Sequence, residues 1–116
     1  MKYILDTNIC IYIIKKKPVQ VFEKFKHLPL GSVGISSITY AELAFGVSKS
    51  AHTDKNQLAL EQFLIPLEIF TFDAYAAQRY GKISAALEKT GTPIGPLDTL
   101  IAAHSLSLGF TLVSNN

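Results

Sequence analysis

A chain of 116 residues fits one domain, and 48% hydrophobic against 17% charged residues excludes a disordered segment, which needs the opposite balance. One cysteine, Cys10, excludes a disulfide framework and a cysteine-based zinc cluster, and the apolar run Ile9–Ile14 is far short of the roughly 20 residues that cross a bilayer. The net charge of +2 is unevenly spread: eight lysines against four acids give residues 1–58 a charge of +4, and three cations against five acids give residues 59–116 a charge of −2.

In chain order, Lys2–Leu5 is an apolar run closed by Asp6 and predicts a short buried strand. Thr7 to Lys17 predicts a helix capped by Asp6 or Thr7, with three lysines at its negative pole. Pro18 ends it and starts a second helix with Val19, Phe22 and Phe25 on one face. After a turn at Leu30-Gly31-Ser32 come a strand over Val33–Ser36, a helix from Ser36 or Ser37 to about Ser50, and another from Asp54 to Leu64. Leu67–Phe72 predicts a third strand, and Asp73 caps a helix whose Ala76, Tyr80, Ile83 and Leu87 keep 4-3-4 spacing. Residues 91–96 are a Gly/Pro loop, Asp98 opens a last helix to about Leu108, and Phe110–Val113 is a fourth strand. Strands alternating with helices predict an α/β fold: a three-layer α/β/α sandwich around a short parallel sheet, with ligands beyond the carboxyl ends of the strands.

Most of the nine acids have ordinary explanations: Glu23, Asp54 and Glu88 neighbour lysines, Glu61 and Glu68 lie near element edges, and Asp73 is a cap. Three remain. Asp6 closes the first strand, Asp98 follows the Gly/Pro loop, and Glu42 shares a helical stripe with Ile38 and Phe45. An acid on an apolar stripe is costly to desolvate unless it is paired or bound to a metal. Positions 38, 39, 45 and 46 offer Glu42 no cation, so the alternatives are a distant Lys or Arg79, or a place at the rim of that face. For Asp6 and Asp98 the alternative is plain N-capping.

Together, three acids at strand ends and helix starts predict one carboxylate pocket, close enough to share one cation or bracket two. Clustered carboxylates repel, and a hard divalent cation removes that penalty; all-oxygen ligation indicates magnesium or manganese, not zinc. The histidines His27, His52 and His104 show no paired metal-ligand spacing, and no phosphate loop or nucleophile elbow is present. The basic cluster at Lys15, Lys16, Lys17, Lys24 and Lys26 is either a solvated helix end or a surface for a phosphate backbone; with the latter, the chemistry indicated is phosphodiester hydrolysis.

The ordered set Ile4-Leu5-Asp6-Thr7-Asn8, Ser37–Gly46 with Ala41-Glu42-Leu43, Gly95-Pro96-Leu97-Asp98, and the closing Val113-Ser114-Asn115-Asn116 resembles a PIN-domain ribonuclease, and more narrowly the VapC toxins of bacterial VapBC toxin–antitoxin pairs. The resemblance spans nearly the whole chain. It implies a single PIN domain over residues 1–116, ending before the family's usual short C-terminal segment, with a magnesium-dependent acidic site that cuts RNA. The subgroup it looks like cuts tRNA in the anticodon region, initiator tRNA in particular. It also implies a homodimer inhibited by a VapB-type antitoxin, with DNA met only through that antitoxin and the lysines between 15 and 26 holding the RNA backbone without reading sequence. The lone cysteine and the lack of a signal-peptide layout give the cytoplasm as the expected place. Position by position, Asp6 and Asp98 match metal-binding acids and Glu42 a ligand or the orienter of the attacking water. Thr7 and Ser114 match hydroxyl positions near the site. Asn116 falls where many PIN domains place a fourth acid, so an amide replaces that carboxylate.

Three rival readings stay in play. A receiver domain needs an adjacent acidic pair at the first strand end, yet Leu5 precedes Asp6 and Thr7 follows it. A haloacid-dehalogenase-type phosphatase needs a second Asp where Asn8 stands. A non-catalytic interaction module would account for the apolar surplus without a metal. That surplus, at Ile9–Ile14 with Val19, Phe22 and Phe25, predicts a groove for the antitoxin along residues 9–25.

Overall fold

Side chains alternate across a strand, so three-residue strands can still serve two cores. In the computed structural model, which describes residues 2–29 and 31–114, β1 (Tyr3–Leu5) sends Leu5 into a cluster with Val33 and Ile35 of β2 (Val33–Ser36). Ile4, fully buried but outside that cluster, faces the other side. β3 (Glu68–Phe70) and β4 (Thr111–Val113) complete a four-stranded sheet of order β3-β2-β1-β4, every pairing parallel.

The first face is covered by α1 (Thr7–Lys15), α2 (Val19–Lys26), α3 (Ser37–Ser48) and α4 (Thr53–Leu64), through Ile9, Cys10, Ile13, Leu43 and Leu60. On the second face lies α6 (Pro96–Leu108), backed along its length by α5 (Ala74–Lys89). The three-layer α/β/α sandwich with a parallel sheet is therefore present.

Several element ends differ from expectation. α1 stops at Lys15 because Lys16 takes a left-handed conformation, φ 58°, and its N–H closes onto the Ile13 carbonyl. α6 begins at Pro96 with Gly95 as its cap, so Asp98 sits inside the first turn and does not open the helix; proline favours that first position because its missing N–H has no partner there anyway. Asp6 and Asp73 do cap, accepting from the N–H groups of Ile9 (2.8 Å) and Ala76 (3.0 Å).

One buried polar pair ties the two faces together. Ser36 Oγ accepts from the Ile38 N–H, capping α3, and shares a 2.8 Å hydrogen bond with Nδ1 of His104 on α6. Burial pushes the His104 pKa below the usual histidine value, against smaller opposing effects of Asp73 and the Thr71 carbonyl. The unfolded chain then takes up the proton first, so stability should fall as pH drops below about 6.5. Thermal melts between pH 7.5 and 5.5 should show this slope, and His104→Gln should flatten it; an unchanged slope would assign the effect to other groups.

Candidate active site

Asp6 follows the last residue of β1, and its N–H donates to the Val113 carbonyl at the end of β4 (3.1 Å), which places Ser114 at the same edge of the sheet. The residue is 8% exposed, and one of its carboxylate oxygens accepts from the Ile9 N–H. One residue on, Thr7 Oγ1 donates a 2.5 Å hydrogen bond to Glu42 Oε1, drawing α3 against the start of α1. Cys10, one turn further along α1, lies under both acids: burial first, then the charges of Asp6 and Glu42, push its thiol pKa far up, so the sulfur stays protonated and inert.

Glu42 is half-buried, but not by the stripe expected of it. α3 buries Thr39 and Leu43, while Phe45 is 65% exposed. The packing face runs through positions 39 and 43, so Ile38, Glu42 and Phe45 form its rim.

Asp98 reaches the same end of the molecule by topology. α6 leads into β4 through Gly109 and thus runs against the strands, with His104 pinned to the last residue of β2. Asp98 lies six residues earlier, about 9 Å further along the axis, beyond the carboxyl ends of the sheet. It is exposed, with Oδ2 folded towards Gly95. Among the described residues no three His, Cys, Asp or Glu side chains lie close enough to hold one ion. Glu42 is tied to the residue that follows Asp6, and the three acids do not gather into one cluster among the described residues. Asn116 lies outside the described residues.

The donor set fits a hard cation. Two carboxylates and a hydroxyl provide oxygen ligands, and neither Asp6 nor Glu42 has a lysine or arginine partner among the described residues. A largely buried acid without a counter-charge is unfavourable, and a divalent ion would relieve it.

Part of the basic cluster borders the site: Lys15 lines one cleft with Glu42, and Lys24 lines another with Ser114. Lys15 ends α1 about 12 Å from Thr7 along the helix axis, and Lys15, Lys16, Lys17, Lys24 and Lys26 are all exposed. Lys16 and Lys26 both sit over the Phe22 ring, 5.8 and 5.6 Å from its centre, and Lys26 also pairs with Glu23 at 3.8 Å. A cleft of about 340 Å³ opens between α1, α3 and α4, lined by Ile11, Ile14, Leu43, Val47 and Leu60 together with the charged Lys15 and Glu42. Val21 and Phe25 of α2 line a separate cleft of about 240 Å³ with Ile9 and Ile13, so the apolar surface along residues 9–25 divides between two hollows.

The PIN domain family profile matches residues 3–116. The tRNA(fMet)-specific endonuclease VapC of Shigella flexneri is 43% identical over all of this chain and 87% of its own length; ribonuclease VapC2 of Haemophilus influenzae is 44% identical with the same coverage. The VapBC2 complex of Rickettsia felis, solved bound to a DNA fragment from its promoter, contains a chain that superposes with a TM-score of 0.93 at 44% identity, covering 100% of this chain and 88% of that one.

Proposed function

This chain belongs to the PIN-domain family and, within it, to the VapC ribonuclease toxins, and from that premise we propose that it is a magnesium-dependent endoribonuclease whose substrate is tRNA, the initiator species in particular. The observation that carries the site assignment is the Thr7–Glu42 hydrogen bond, which seats a second carboxylate beside the buried Asp6. PIN-domain nucleases depend on divalent metal. Here Asp6 and Glu42 would hold the ion, Mg²⁺ or Mn²⁺, with Asp98 completing the acidic rim. When bound, the ion supplies Lewis acidity at the phosphoryl group and offsets charge on the leaving oxygen.

The chain's own groups do the rest. Thr7 engages one Glu42 oxygen and leaves the other to orient a water for in-line attack on phosphorus. Ser114, at the end of β4, offers a hydroxyl to the phosphate. Asp6, fixed by its cap bond and its strand-end N–H, holds its carboxylate in place as the substrate binds. Attack by water leaves 5′-phosphate and 3′-hydroxyl ends. Incubating the protein with magnesium and tRNA, then sequencing the new ends, tests this. A 2′,3′-cyclic phosphate would overturn water as the nucleophile, and intact RNA would overturn the substrate.

The partner we propose is a VapB-type antitoxin, as in the complex from Rickettsia felis. The α1–α3–α4 cleft suits an apolar peptide segment, with Glu42 to receive a basic side chain of that segment and Lys15 an acidic one, charge-assisted pairs in a partly desolvated place. Purified antitoxin should therefore suppress cleavage, and failure to do so would count against the toxin–antitoxin pairing. We assign the protein to the cytoplasm as a homodimer that meets DNA only through the antitoxin. Among the described residues no helix is long and apolar enough to cross a membrane.

A further inference from the structure

Glu42, Phe45 and Lys49 follow one another along a single face of α3 and its C-cap, the spacing of three and four that brings side chains into register. Phe45 stands one turn, about 4.5 Å along the axis, from the candidate catalytic acid. Its side chain is 65% exposed even though the Lys49 ammonium lies over the ring, 4.9 Å from its centre. Lys49 has no carboxylate partner among the described residues. Beside Phe45, Gly46 keeps the helix surface low: a methyl there would meet nothing within 4 Å, so no packing demand explains a glycine in mid-helix.

Phe22 supplies the contrast. It too carries lysines on its ring, but it packs against the core from α2, near the end of α1 remote from Asp6. Phe45 is not part of that core and lies one turn from Glu42. An exposed aromatic ring backed by a free cation matches what an unpaired nucleotide needs: a flat surface for the base and a positive charge for its phosphate.

Resting on the ribonuclease reading, we propose that Phe45 and Lys49 form a stacking platform for an unpaired RNA base flanking the bond that is cut. The base lies on the ring face opposite Lys49, and the ammonium is shared with the adjoining phosphate. The platform binds and positions RNA; it takes no part in the bond-breaking step.

The chain contains no tryptophan, so Phe45→Trp installs a single fluorescent reporter at this place. In a chain that also carries Asp6→Asn to stop cleavage, added tRNA should quench the tryptophan emission with the midpoint seen by anisotropy of labelled RNA. RNA binding without quenching would overturn the platform and leave the ribonuclease reading standing. Wild-type protein that neither binds nor cuts RNA would remove both. In cleavage assays Phe45→Ala should raise KM about tenfold with kcat little changed, and Phe45→Tyr should restore it. Lys49→Ala should reduce the salt dependence of RNA binding by about one phosphate contact. A Phe45→Ala protein that instead changes its sedimentation from dimer to monomer would assign this face to contact between copies of the chain and overturn the proposal.

Discussion

Asp6→Asn should abolish RNA cleavage, by on the order of a thousandfold, with the fold intact. The two consequences separate because Asp6 does two things at once. Its oxygen caps α1 through the Ile9 N–H at 2.8 Å, and its charge is one of two that would hold a cation. Asparagine caps a helix about as well as aspartate, so the first role survives and the second is lost. Removing a largely buried charge that lacks a lysine or arginine partner should also leave the metal-free protein at least as stable. Magnesium should raise the melting temperature of the wild type and not that of Asp6→Asn. Equal magnesium shifts in the two proteins would refute a cation site at Asp6. Asp6→Ala is the less informative change, since it would also remove the cap, worth about 1 kcal/mol.

Gly34→Ala should be the most damaging single-methyl change in the core. Gly34 is buried in β2, where it pairs with Ile4 on one side and Glu68 on the other. A Cβ there would run into the Phe70 ring and the Glu68 backbone carbonyl oxygen. The ring can turn only by leaving its edge-on contact with Phe110, 5.1 Å between centres, and the carbonyl belongs to the sheet ladder. Overpacking of this kind costs about 1–3 kcal/mol, and a collision with backbone belongs at the upper end. Gly81→Ala is the matched control: it lies inside α5 with nothing within 4 Å of the added methyl, so it should stabilise by about 1 kcal/mol. Urea denaturation of the two variants beside wild type reads both effects. A Gly34→Ala protein within about 0.5 kcal/mol of wild type would mean that β3 can shift away from β2, contrary to the packing described.

The elements themselves were legible because their signals are local. Short apolar runs closed by Asp6 and Ser36, and caps at Asp6 and Asp73, depend on residues within a few positions of one another, and all appear where the residue pattern puts them. Boundaries set by backbone conformation were less visible. The left-handed turn at Lys16 shortened α1, and Gly95-Pro96 started α6 ahead of Asp98. The Phe45–Lys49 contact could have been flagged by its i, i+4 spacing, since an aromatic and a lysine so placed commonly meet on a helix surface.

What the order of residues determined unaided is the alternation of strand and helix, and hence a parallel sheet with Asp6 at a carboxyl end, because periodicity and capping act over one or two turns. Whether Glu42 meets Asp6 depended on Thr7 bonding across 35 positions, and whether Asp98 joins them depended on how α6 lies against β2 through His104 and Ser36. Those outcomes were decided by helix packing on the sheet: a helix carries its side chains as a rigid set. The choice of Thr39 and Leu43 as the buried face of α3 turned Glu42 and Phe45 to the rim together, a rotation that no local pattern of residues encodes.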